Sequence, residues 1–236
     1  MGSNLWSAAE IALATNGKVI GDKSWGALGV SIDSRSICAG DLFIAVQAER
    51  DGHDFVAQAI GAGAAGALVS NPDVPGPKVL VSDTQSALEA LAIAAQKRSA
   101  ANRIAVTGSV GKTSVKDALA TVLAPDGATH KSVKSYNNQW GVPLTLARMP
   151  KKTKHAVFEV GTNHPGEIAQ LSHLVQPHIG IITRIAQAHL AGFGSVAAIA
   201  REKASLWAAL VDGGTAVYPT DDAAKELLLT QARYFG

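Results

Sequence analysis

Two glycines, a lysine and a threonine stand together in RIAVTGSVGKTSV, residues 103–115. Gly108 and Gly111 let a backbone turn so that its N–H groups face an anion. Lys112 adds a positive charge, and Thr113 offers a hydroxyl to a hard cation such as Mg²⁺. The usual phosphate loop is G-x-x-x-x-G-K-[ST], which calls for glycine at 106, where this chain has Val106. The stretch is therefore either a shortened phosphate loop, made of Thr107, Gly108, Ser109, Val110, Gly111, Lys112 and Thr113, or a glycine turn that precedes a lysine. Its flanks favour the first. Ile104-Ala105-Val106 reads as a short buried strand, and Val115, Leu119, Val122 and Leu123 recur at helical spacing.

Three more polar residues stand where chemistry is expected. Glu159 is an acid in the apolar run HAVFEVG, near the end of a strand, and is suited to hold a metal. An ion pair is the commoner fate of such a residue. His189 follows the apolar run IGIITRIAQA, and is either a less usual Mg²⁺ ligand or a loop histidine. In an open parallel sheet, ligands sit beyond the carboxyl ends of the strands, where these residues fall. Lys203 occupies the centre of an apolar stripe of Val196, Ile199, Leu206 and Leu210. It is either a snorkelling side chain or a desolvated, neutral amine open to chemical modification.

The elements that must position these residues alternate between strand and helix. Ser7-Ala8-Ala9-Glu10 has the spacing of a capping box, with Gly17 as a stop. Strands are predicted at 29–32, 42–46, 67–69 and 78–81, and helices at 55–62 and 87–97. After the polar stretch KRSAANR, strands are predicted at 156–160, 179–185 and 215–218, with helices at 167–175 and 196–210. The pattern implies an α/β protein: a small N-terminal α/β domain over 1–100, then a parallel-sheet domain over 101–236 covered on both faces. The 236 residues carry a formal charge of +2 and 47% hydrophobic residues, enough for real cores and too little charge to argue for nucleic acid or an anionic membrane as partner. A single cysteine, Cys38, excludes an internal disulfide, and no apolar run predicts a membrane span or a signal peptide. A cytoplasmic location is expected.

Four stretches carry a family resemblance: VTGSVGKTS, SYNNQWGVPLTLARMP, FEVGTNHPGEIAQLSHLVQPHIGIIT and AHLAGFGSVAAIAREK. Together they resemble the Mur ligases of peptidoglycan synthesis, whose phosphate loop has the short T-G-x-x-G-K-T form. SIDSRSICAGDLFIAVQAERDGHDF resembles the family's UDP-sugar-binding segment. The resemblance implies a P-loop ATPase domain behind a UDP-sugar-binding domain. It implies ATP and Mg²⁺ as cofactors, engaged by the loop with Lys112 and Thr113, while Glu159 and His189 help bind metal. Lys203 matches a lysine that family members carbamylate into a carboxylate-like metal ligand. Ser34 and Arg35, with Ala48, Glu49 and Arg50, match positions near the uridine nucleotide. Asn137, Asn138, Asn163 and His164 match loops lining the central crevice. The implied reaction joins D-Ala-D-Ala to UDP-MurNAc-tripeptide through an acyl phosphate.

The chain also departs from the family pattern. Val110 replaces a common asparagine, Arg184 and Gln187 stand where Asn and Pro are usual, and VYPTDD replaces an asparagine-led N-A-D-D. The family carries a third, C-terminal domain, so a chain ending at Gly236 is expected to be a fragment with a truncated central domain. Two other readings stay open, the sister ligase that adds a diamino acid and a non-catalytic module that binds UDP-sugar or nucleotide. The N-H-P-G-E-I run argues against the sister ligase.

Overall fold

The computed structural model describes residues 4–187 and 193–235. The chain divides into two compact units, Met1–Lys97 with Leu146–Pro150, and Arg98–Thr145 with Lys151–Gly236. The return of residues 146–150 to the first unit is not readable from a linear sequence. There, Trp6 Nε1 donates to Ala147 O at 2.8 Å.

In the first unit, β1 (Trp6–Ser7) pairs antiparallel with β3 (Gly26–Ala27). The main sheet uses β2 (Lys18–Ile20), β4 (Gly29–Ser31), β5 (Asp41–Ile44), β6 (Gly66–Val69) and β7 (Lys78–Leu80), in the order β2-β7-β6-β5-β4. All neighbours are parallel except β2 with β7. Three helices belong to this unit: α1 (Ala8–Thr15), α2 (Val56–Gly61) and α3 (Thr84–Lys97). Phe43, Ala45, Val56, Ala59, Ala67, Val69 and Val74 form one core cluster that joins α2 to the sheet.

The capping box is present at α1: Glu10 N donates to Ser7 Oγ, and Ser7 N to Glu10 Oε2. The stop differs from expectation. Asn16, at φ +52°, takes the left-handed cap. Gly17 is small for another reason, since a Cβ there would lie 2.7 Å from Val79 Cγ1. Helix α3 starts three residues before the predicted Ala87, because Thr84 is buried and its hydroxyl donates to Ala45 O at 2.8 Å.

The second unit carries β8 (Asn102–Thr107), β9 (Thr129–Lys131), β10 (His155–Glu159), β11 (Ile179–Ile182) and β12 (Thr215–Val217). They form an all-parallel sheet ordered β12-β11-β8-β10-β9. Strands after β8 fill one side of it and then the other, so the order reverses beside its carboxyl end. That is where an open α/β sheet binds ligands. The unit's helices are α4 (Lys112–Leu123), α6 (Glu167–Val175), α7 (Val196–Ala204) and α8 (Lys225–Phe235), while the last two residues of α5 (Gly141–Ala147) belong to the returning segment.

Helix α4 packs Val115, Leu119 and Leu123 on Ile104, Val106 and Val157 of the sheet. Val122, predicted on the same stripe, is 68% exposed. At ~100° per residue it lies ~20° beyond Val115 on the solvent side. The buried arc runs the other way, through Lys116 and Ala120. Two further predicted elements are shorter than expected. Strand β11 stops at Ile182: Thr183 N still donates to Thr107 O, but beyond it Arg184 O and Ala186 O accept from Ser109 of the glycine loop, and Ile185 N turns to Asp222. Helix α7 stops at Ala204 and tightens into a 3₁₀ turn, Ser205–Ala209, that brings Trp207 Nε1 to Gly180 O at 2.9 Å.

Candidate nucleotide-binding site

The glycine loop leaves β8 and enters α4, as a phosphate loop must. Gly108 has φ +144° and Gly111 +83°, conformations that side chains resist. A Cβ on Gly108 would also stand 2.0 Å from Thr183 Oγ1. The loop is braced from the end of β11. Ser109 N donates to Arg184 O at 2.8 Å, Ser109 Oγ to Ala186 O at 3.1 Å, and Thr183 Oγ1 to Val110 O at 2.6 Å. The first N–H groups of α4 have no acceptor inside the helix, and with the helix dipole they make a place for an anion.

Lys112 folds back over this loop, its ammonium donating to Gly108 O at 2.7 Å and Ser109 O at 3.5 Å. Burial lowers its pKa, and the charge of Glu159 opposes that shift. A cavity of ≈ 100 Å³ opens beside it, lined by the loop residues Gly108 and Ser109 and by Asn137, Asn138, Asn163 and Lys203. Thus five sequence-predicted site residues, Lys112, Asn137, Asn138, Asn163 and Lys203, meet at one cavity with the phosphate loop. His164 does not line it. Exposed, it bonds through Nδ1 to Glu167 Oε1 at 3.2 Å. His189 lies outside the described residues.

Glu159 is 1% exposed, and both its oxygens are engaged. Thr113 Oγ1 donates to Oε2 at 2.9 Å and Asn137 Nδ2 to Oε1 at 2.8 Å. The acid thus ties the helix that follows the phosphate loop to the asparagine loop. Behind it stands Lys116, also 1% exposed, with Nζ 3.8 Å from Glu159 Oε2. Sequence reasoning passed over this lysine. Its signal was available: it lies one turn beyond Lys112, on the same side of the helix.

Lys203 is 3% exposed, so it does not snorkel to water. Among the described residues its amine has no hydrogen-bond or ion-pair partner. Its pKa falls to about 8, chiefly through burial and then through the charge of Lys112, against the opposing pull of Glu202 and Glu167. These two acids were not foreseen. Glu202 reaches across to the start of α6, accepting from Gly166 N at 2.8 Å and Ile168 N at 3.0 Å. Glu167, which lines the cavity, accepts from Thr162 Oγ1, Asn163 N and His164 N and so shapes the Asn163 loop. An E202A variant leaves the start of α6 uncapped and is expected to lose about 1–2 kcal/mol of stability, read by urea unfolding, with E202Q losing less.

In the first unit, the residues predicted to meet a uridine nucleotide follow two adjacent parallel strands. Ser34 and Arg35 come after β4, and Ala48, Glu49 and Arg50 after β5. Ser34 is buried and donates to Gln58 Oε1 at 3.0 Å, whereas Arg35 is exposed and pairs with Asp33 at 2.8 Å. The Ala48–Arg50 turn is exposed, and the Arg50 guanidinium lies 4.8 Å from the Phe55 ring centroid. At the positions where the chain departs from the expected pattern, Arg184 reaches Asp221 at 3.4 Å and Asp222 accepts from Ile185 N at 2.8 Å. The acidic pair thus anchors the chain that braces the glycine loop.

Thr113 Oγ1 and Glu159 Oε2 are hard oxygen donors held together beside the loop, which fits Mg²⁺. That ion takes one or two protein oxygens and completes its octahedron with phosphate and water. Among the described residues, no three His, Cys, Asp or Glu side chains gather into a metal site that would work without such partners.

Residues 106–234 match the Mur ligase middle domain, and residues 28–125 match a domain described as Mur ligase family, catalytic domain. The chain belongs to the Mur ligase family. Among its relatives is the UDP-N-acetylmuramoyl-tripeptide–D-alanyl-D-alanine ligase of Escherichia coli K12, 40% identical over 195 residues, which are 82% of this chain and 43% of that protein. The Bacillus subtilis protein of the same name is 40% identical over 199 residues, 82% of this chain and 44% of that one. A crystal structure of MurF from Acinetobacter baumannii matches with TM-score 0.86 and 34% identity, over 97% of this chain and 52% of that one. MurF ligase from Thermotoga maritima, solved in complex with ADP, matches with TM-score 0.75 and 27% identity, over 88% and 48%. This Mur ligase chain spans about half the length of the relatives it matches. None of its described helices is long and apolar enough to cross a membrane.

Proposed function

We propose that this chain takes part in the ATP-dependent joining of D-Ala-D-Ala to UDP-MurNAc-tripeptide. The observation that carries this reading is the convergence of the glycine loop, Lys112, Asn137, Asn138, Asn163 and Lys203 on one cavity at the switch point of the sheet. Relatives named for that reaction support the choice of substrates, and the ADP-bound relative supports the choice of nucleotide.

Carboxylates are poor electrophiles, so the reaction needs activation. An oxygen of the tripeptide carboxylate attacks the γ-phosphorus of ATP, giving an acyl phosphate and ADP. The free amine of D-Ala-D-Ala then adds to the acyl carbon, and the tetrahedral adduct expels phosphate and loses a proton to leave the amide. Negative charge spreads over the transferred phosphoryl group, and its stabilisation is the main electrostatic demand. The N–H groups at the start of α4 and the Lys112 ammonium are placed to meet it. Thr113 and Glu159 would hold Mg²⁺, with His189 a further candidate by its place in the sequence. When bound, that ion neutralises phosphate charge and fixes its orientation. Asn137, Asn138 and Asn163, which line the cavity, offer donors and acceptors to the peptide and phosphates, while Ser34, Arg35, Ala48, Glu49 and Arg50 serve the uridine nucleotide.

Lys203 has the burial a carbamate-forming lysine requires. The neutral fraction of its amine, raised by the lowered pKa, adds to CO₂, forming an N–C bond and releasing a proton, and the product is an anion close to Lys112. Use of ATP and a UDP-linked precursor assigns the work to the cytoplasm.

Calorimetric titration tests the reading. Mg-ATP and UDP-MurNAc-tripeptide are each expected to bind the chain with one-to-one stoichiometry and without competing. Mutual competition, or binding of neither, would remove the reading.

A further inference from the structure

Lys116 is a fully buried lysine that the reaction above does not use. It sits in the middle of the buried face of α4, one turn after Lys112. Its Nζ donates to Lys134 O at 2.8 Å and lies 3.5 Å from Asp117 Oδ1 and 3.8 Å from Glu159 Oε2. Lys134 has φ +52°, a conformation uncommon for a residue with a side chain, and its carbonyl faces the ammonium. The loop is therefore held in a shape that receives this lysine. A carboxylate as buried as Glu159 also needs a counter-charge, since hydrogen bonds from Thr113 and Asn137 are neutral.

Two lysines can supply that charge, and they differ in freedom. Lys112 is only half-buried and rests on loop carbonyls, from which a bound phosphate can draw it away. Lys116 is enclosed and fixed by Lys134 O. We propose that Lys116 is the internal counter-cation of Glu159 and suppresses divalent-cation binding until nucleotide phosphate is present. The proposal rests on the reading of Glu159 as a cation ligand. With Lys116 in place, a free cation arriving at Glu159 meets a positive charge that cannot leave. Phosphate brings negative charge that outweighs it, so cation and nucleotide enter together. Charge repulsion of this kind within a few ångströms changes cation affinity by about tenfold even after strong dielectric screening.

Mn²⁺ serves as the probe, its free concentration read by electron paramagnetic resonance, with and without ADP. K116Q keeps a donor near Lys134 O and K116M keeps the volume. Both are expected to bind Mn²⁺ without nucleotide about tenfold more tightly than the parent chain. K116R keeps the charge and is expected to bind as the parent does. Adding E159Q to K116Q is expected to abolish the gain. The proposal is overturned if K116Q and K116M bind no more tightly, if the gain survives E159Q, or if K116R alone binds more tightly. The last comparison holds even where the neutral variants fail to fold. A separate result, E159Q leaving Mn²⁺ binding with ADP unchanged, would defeat the cation-ligand reading itself. An effect of E159Q with none of Lys116 would defeat only the counter-cation.

Discussion

A K112M variant is expected to bind Mg-ATP at least about 100-fold more weakly than the parent chain, with its fold intact. The size follows from what a phosphate loop has to offer. Backbone N–H groups supply partial charges, whereas Lys112 supplies the one full charge able to swing from the loop carbonyls to a phosphate oxygen. Losing a charged partner from such a site costs about twice as much as losing a neutral donor. Stability is expected to hold, because the loop keeps its shape through bonds that do not involve Lys112. Ser109 N still reaches Arg184 O, and Thr183 Oγ1 still reaches Val110 O. Titration calorimetry with Mg-ATP, paired with thermal unfolding, reads both quantities. Binding that falls less than about threefold would mean the lysine is only a lid over the loop.

The second large effect concerns Lys203 and pH. Its pKa falls from 10.5 to about 8 on folding, mainly through burial. Below about 8 the amine is charged in both states, and the folded state carries the whole desolvation cost. As pH rises from about 8 to 10.5, the unfolded chain holds a proton that the folded chain has released, so stability increases with pH. The cost amounts to about 3 kcal/mol. K203M fills similar space with no charge. It is expected to be more stable than the parent by up to about 3 kcal/mol near neutral pH, and the gap should close as pH approaches 10.5. Urea unfolding of both proteins in CO₂-free buffer measures this, and the comparison cancels other titrating groups. Bicarbonate is then expected to stabilise the parent more than K203M, since the variant lacks the Lys203 amine. A gap that does not change with pH would mean that the lysine is charged and paired in the folded chain.

The sequence was most informative where a local rule and a local function coincide. A strand, two glycines and a helix start specify the phosphate loop within a dozen residues, and Val106 in place of the first glycine does not disturb it. Lys203 was visible because a charge interrupted an apolar stripe. Lys116 was invisible for the converse reason: the stripe was drawn through apolar residues alone, which moved its centre towards Val122 and away from the buried arc. Pairings distant along the chain were also unreadable. Thr113 with Glu159, Asn137 with Glu159, and Glu202 with the start of α6 depend on how strands and helices are laid side by side. Helix α5 was not among the predicted elements; it holds Pro143, which a helix interior resists, but in the first turn the lost N–H has no helical partner to miss. Asn138 Oδ1 caps that turn by accepting from Gly141 N at 3.0 Å. Short edge strands such as β2 and β9 carry too few residues to show a period.

Release of phosphate from Mg-ATP, followed with UDP-MurNAc-tripeptide in the presence and absence of D-Ala-D-Ala, bears most directly on the assignment. The proposed function predicts release that requires both substrates, yields one amide for each phosphate and disappears in K112M. Release that ignores both substrates, or its absence under every condition, would contradict the proposed role of this chain in amide-bond formation.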